Sequence, residues 1–172
     1  MPSPVRLLLP ALLPLLSSCT IVSPHRDQAQ WTTSVHGVTA HWRWVTPGSL
    51  GGVLTTLGHQ PENHTTPRYA GTAITLGNTA QCVIDIDPAL SRGRLVEVAA
   101  HEFGHCAAGR YNKVSLNTAG LDEYHRQLFE RYAEHYARLY VEQCGLSLRP
   151  LGWFDLTPAT CEVAPDPRLI RL

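Results

Sequence analysis

No charge of one sign dominates this chain of 172 residues, because 14 Lys and Arg face 14 Asp and Glu and no long run of either occurs. That balance lacks the basic footprint of a nucleic-acid binder, and no nucleic acid is expected as a partner. No internal repeat is visible. The first apolar run, residues 7–16, is too short to span a bilayer as a permanent helix and is broken by Pro10 and Pro14. Five of the nine His residues (His25, His36, His41, His59 and His64) lack any ligand spacing and read as surface or strand residues. What is present is a hydrophobic fraction of 44%, enough for one soluble domain with a core.

The N-terminus "MPSPVRLLLPALLPLLSSC" carries an early Arg6, then the apolar run, then small residues ending at Cys19. It reads as a secretory signal. Its end, Leu16-Ser17-Ser18-Cys19, resembles the lipobox of bacterial lipoproteins. The resemblance implies removal of residues 1–18, acylation of Cys19 and a membrane anchor outside the cytoplasm. Thr20 in place of Asp would favour the outer membrane in a Gram-negative envelope. The plainer alternative is an ordinary cleaved signal with an incidental Cys. In an oxidising compartment the other four cysteines, Cys82, Cys106, Cys144 and Cys161, suggest two disulfides among three connectivities. Cys144 with Cys161 would close a short loop after a helix, leaving Cys82 for Cys106; buried free thiols are the alternative. The Asn63-His64-Thr65 glycosylation pattern has no use in a bacterial lipoprotein.

Residues 19–30 read as a polar tether and residues 31–172 as one domain. "TSVHGVTAHWRWV", residues 33–45, alternates in a strand-like way, with Val38, Ala40, Trp42 and Trp44 on one face and Thr39, His41 and Arg43 on the other. A turn-rich stretch follows, with at most a short helix near Leu50 to Leu57. Two strands, about Tyr69 to Leu76 and Ala80 to Ile86, are expected to form a hairpin around Gly77-Asn78. Then comes a helix between a Ser91 N-cap and a Gly109 stop, and a second of about 24 residues ending before Gly145. Phe129, Ala133, Tyr136 and Tyr140 give the second helix an apolar face. The tail reads as loop. The expected fold is α+β, a small antiparallel or mixed sheet packed on the two helices.

The first helix contains "HEFGH", His101 to His105. An H-E-x-x-H arises by accident in only about 2% of chains of this length and composition. On a helix, residues four apart lie one turn above each other, so both imidazoles can reach one ion while Glu102 faces its open side. That arrangement suits zinc-assisted hydrolysis, in which a carboxylate takes the proton of a water activated by the metal. Cys106 is a poor ligand candidate, because adjacent helix positions diverge by about 100°. A third ligand is needed. The class with H-E-x-x-H-x-x-G-x-x-H is excluded, because Ala108 and Tyr111 stand where its Gly and His belong.

The second helix reads "ERYAEHYA", Glu130 to Ala137. It resembles the E-x-x-A-[D/N]-x-[FY]-A signature of Glu-ligand zinc peptidases, particularly the ImmA/IrrE family, with Glu134 where Asp or Asn is usual. Over residues 92 to 141 the resemblance implies a minimal zincin-like fold, Zn2+ as cofactor, Glu130 as third ligand and Glu134 as the residue orienting a ligand imidazole. It also implies a peptide substrate held in extended form against one strand of the Tyr69 to Ile86 hairpin. On the residues alone, Glu123 and Glu134 remain alternative ligands, His125 and His135 could reach a metal in another packing, and solvated helical pairs such as Glu134 with Arg138 are the plain reading. Tyr111, Tyr124, His125 and Tyr132 are candidates for stabilising an oxyanion. The expected function is a lipid-anchored zinc metallopeptidase acting on extracytoplasmic proteins or peptides. Its rivals are a non-catalytic envelope-binding module of the same fold and a zinc amidase acting on cell wall.

Overall fold

A computed structural model describes residues 29–45, 71–75, 81–111 and 123–171. The signal, Cys19, nearly all of the tether, the short helix expected near Leu50 to Leu57 and the Gly77-Asn78 turn lie outside the described residues. The fold is α+β, a four-stranded mixed sheet with two long helices.

Strand β1 (Gln30–Val35) and strand β2 (Val38–Trp44) form an antiparallel hairpin, so the alternating stretch 33–45 is two strands and not one run. The break is the His36-Gly37 pair, with φ of 49° and 69°. Positive φ at both central residues makes the tight turn whose twist matches its strands. His36 is kept there by two contacts: its Nε2 lies 2.7 Å from the Ala164 carbonyl, and its own carbonyl accepts the Tyr111 hydroxyl. Strand β3 (Gly71–Thr75) pairs antiparallel with β4 (Gln81–Ile86), as a hairpin requires. β4 runs parallel to β2, giving the order β1-β2-β4-β3 and leaving β3 at an edge.

The period of two now sorts the sheet's faces. Val38, Ala40, Trp42, Cys82, Ile84 and Ile86 are buried and belong to one core with Val96, Ala100 and Phe103 of helix α1 (Arg92–Tyr111). Trp42 is core as expected, whereas Trp44 is half-buried. Trp31, Trp42 and Trp44 meet Trp153 of the tail, with ring centroids 4.8 to 5.7 Å from it. Burying each such side chain stabilises the fold by about 2 to 3 kcal/mol, which is why a tail with little regular structure is held at all.

Ser91 accepts the first helical hydrogen bond of α1 from Leu95 N, at 2.8 Å, as an N-cap position does. Gly109 does not stop the helix. It lies inside α1, which runs on to Tyr111, where the hydroxyl bond to His36 secures the last turn at the modest cost of an internal glycine. Helix α2 (Glu123–Cys144) ends at Gly145, whose φ of 65° is the left-handed stop. Phe129, Ala133, Tyr136 and Tyr140 are buried as their spacing requires.

The cysteines pair as Cys82 with Cys106 and Cys144 with Cys161, at Cα separations of 5.8 and 4.6 Å. The first ties β4 to α1 and the second ties the tail to α2. No helix among the described residues is long and apolar enough to cross a membrane, and the disulfides are compatible with an extracytoplasmic location.

Candidate metal centre

Helices α1 and α2 cross where neither has a side chain in the way. A Cβ placed on Gly104 would lie 2.9 Å from the Ala133 Cα and 3.3 Å from its carbonyl oxygen. Ala133 is legible in the sequence as a small residue allowing close approach; Gly104, within the HEFGH motif itself, is its counterpart. Their contact brings His101, His105 and Glu130 together.

The two Nε2 atoms of His101 and His105 stand 3.1 Å apart, with the rings edge to face. Glu130 straddles them, its Oε2 3.4 Å from His101 Nε2 and its Oε1 3.5 Å from His105 Nε2. A tetrahedral zinc with bonds near 2.0 to 2.1 Å separates its donors by about 3.3 to 3.4 Å. Each carboxylate oxygen faces one imidazole at about that spacing, one ligand atom from each residue lies within 4.8 Å of the others, and the donor set, two imidazoles and one carboxylate, is of the kind that holds catalytic zinc.

Electrostatics follow from burial. Desolvation pushes the His105 pKa down to about 4, so its ring is neutral, as a ligand must be. Burial pulls on His101 in the same sense, but the Glu130 contact and the charges of Glu102 and Glu134 outweigh it, and its pKa is raised. The hydrogen bond with His101 holds Glu130 below the usual carboxylate range, against its own partial desolvation. Burial pushes Glu102 up to about 7, with the His101 charge opposing.

Glu102 is 8% exposed, and the edge strand is what encloses it. A Cβ on Gly71 of β3 would lie 2.6 Å from Val98 Cγ1, 3.0 Å from Glu102 Cγ and 3.1 Å from its Oε1. Only glycine lets the strand pass this close to the helix. Neither Gly71 nor Gly104 stands out in the sequence as a site residue; the signal is a glycine where periodicity asks for a side chain.

The remaining candidates fall elsewhere. Glu123 pairs with Arg126 and Gln127 on the first turn of α2. Glu134 is exposed and makes no hydrogen bond or ion pair among the described residues, and Nδ1 of His105 is buried without a partner there. The charge of Glu134 acts on His101. The Tyr111 and Tyr132 hydroxyls donate to the carbonyls of His36 and Pro167 and are occupied. Tyr124 is exposed and packs edge to face on His125, with centroids 5.5 Å apart. No family model matches the chain, and neither does any curated protein or solved structure.

Proposed function

We propose that the chain is a zinc-dependent peptidase acting outside the cytoplasm and held to a membrane through acylated Cys19. The observation that carries the reading is the convergence of His101, His105 and Glu130, one ligand atom from each lying within 4.8 Å of the others, with a buried carboxylate on the adjacent helical position. His101, His105 and Glu130 would hold the ion. Zinc in such a site supplies a Lewis acid and lowers the pKa of a bound water. Glu102 would be the base of the hydrolysis, taking a proton from the attacking water and returning it to the leaving amine. Edge strand β3 runs beside Glu102, so an extended peptide added to it would place its backbone next to the base. The likeness to ImmA/IrrE peptidases rests on the two helix motifs alone.

Zinc content and peptide cleavage, measured on the purified mature chain and on Glu102→Gln, test the proposal. Retained zinc with lost cleavage is the expected result. Cleavage that survives Glu102→Gln would refute the assigned base. Zinc bound without any cleavage by the wild type would favour the binding module. Protein and cell-wall digests run with and without chelator separate the peptidase from an amidase.

A further inference from the structure

Six large hydrophobic residues are exposed among the described residues: Tyr124, Val163 and Leu169, and three that lie at one end of the domain, Leu146, Phe154 and Leu156, exposed by 46%, 60% and 69%. Scattered single exposures of this kind are ordinary, but these three are bound to one locus. Asp155, between the last two, accepts a hydrogen bond from Leu148 N at 2.6 Å and another from Arg92, which in turn donates to the Leu146 carbonyl at 2.5 Å. The locus is the end of the molecule where α1 begins and α2 stops.

The polypeptide also enters the domain there. The Ala29 carbonyl accepts from Trp44 N at 3.0 Å, and Trp31 packs on Trp153, the residue before Phe154, at 4.8 Å between centroids. Ten residues separate Ala29 from Cys19. A chain of that length reaches at most about 34 Å. An anchor at Cys19 would therefore join the domain at this end, the one that carries the apolar cluster.

We infer that Leu146, Phe154 and Leu156 seat this end of the domain on the bilayer surface. The inference rests on the lipid anchor proposed above. Acyl chains would supply the affinity, and the apolar cluster the orientation. Orientation sets the height of the chemistry. His101 and His105 lie nine and thirteen residues along α1 from Arg92, which puts the metal centre about 14 to 20 Å from that end. The substrates so selected are extended polypeptide segments lying close to the membrane, such as the stretches next to a membrane anchor.

The test places a photoreactive benzoyl-phenylalanine at 146, 154 or 156, or at Tyr124 as control, in the full chain reconstituted into phosphatidylethanolamine and phosphatidylglycerol vesicles. Tyr124 is exposed and lies about 30 Å away along α2. Lipid adducts at the three positions, several-fold above Tyr124, are expected. Equal yield at Tyr124, or no lipid adduct at any of the three, overturns the seating. The mass of the N-terminal peptide from the same samples reports Cys19 separately. Unmodified Cys19 with adducts at the cluster refutes the anchor and supports the seating, whereas acylated Cys19 without such adducts refutes the seating alone.

Discussion

Asp155 shows what one buried carboxylate does for this fold. Its Oδ2 accepts from Leu148 N and from Arg92, and its Oδ1 accepts from Thr157 N at 2.9 Å, so one side chain joins the tail to the start of α1. Burial alone would raise its pKa, but those hydrogen bonds outweigh it and hold the group below its ordinary value. A carboxylate lowered in the folded state contributes stability above its unfolded pKa and loses it as pH falls through the folded one. The contribution is thus complete at neutral pH and is lost below about pH 4. Asp155→Ala leaves Leu148 N unpaired and Arg92 with the Leu146 carbonyl but no counter-charge there, and should cost about 3 kcal/mol at pH 7. Thermal unfolding at pH 7 and at pH 3 checks this, with the difference between variant and wild type expected to shrink at the lower pH. The third metal ligand is also a question for single residues. Zinc content should collapse in Glu130→Ala and persist in Glu123→Ala and Glu134→Ala, and a site emptied only by Glu123→Ala would refute the assignment.

Elements bring those residues together, and the contact of α1 with α2 is set by backbone. Gly104→Ala drives a methyl group against the Ala133 Cα and carbonyl, neither of which can turn away. Overpacking of this kind costs about 1 to 3 kcal/mol. Because the same contact sets the spacing of His101, His105 and Glu130, zinc affinity should fall along with the melting temperature. Gly93→Ala is the control. Nothing lies within 4 Å of where its new methyl group would sit, so it should raise helix stability by a few tenths of a kcal/mol to about 1, with zinc affinity unchanged. Competition against a chromophoric chelator reads both variants. Local signals make much of this legible in the sequence. H-E-x-x-H is a four-residue spacing on one helix, and the apolar period of α2 is carried by contiguous text. Glu130 stands among three acids until packing chooses which one meets the imidazoles. The sheet order is also out of reach, because parallel pairing of β2 with β4 joins segments about 40 residues apart and leaves no short-range trace. The His36-Gly37 turn could have been read. Two residues of turn type between Val35 and Val38 mark a hairpin, but the unbroken alternation around them conceals it.

For the whole molecule, the two disulfides do different work despite similar loops. They join cysteines 24 and 17 residues apart, and chain entropy assigns each about 3 kcal/mol of stability. Cys144 with Cys161 fastens the tail at the end of α2, 14 residues beyond Glu130, where the Ser147 carbonyl accepts from Tyr140, and the Pro167 carbonyl accepts from Tyr132. Cys82 with Cys106 fastens α1 to the sheet one residue beyond His105, so it restrains the helix that carries two of the three donors. Replacing either pair by alanines should lower the melting temperature by a comparable amount. Only the loss of Cys82 and Cys106 should also weaken zinc binding, because only that pair limits the rotation of α1 against β4. Metal titrations of the two double variants, run well below both melting temperatures, separate the effects. Equal zinc affinity in the two variants would show that the contact of Gly104 with Ala133 holds the ligand geometry unaided, and that the disulfide beside His105 serves stability alone.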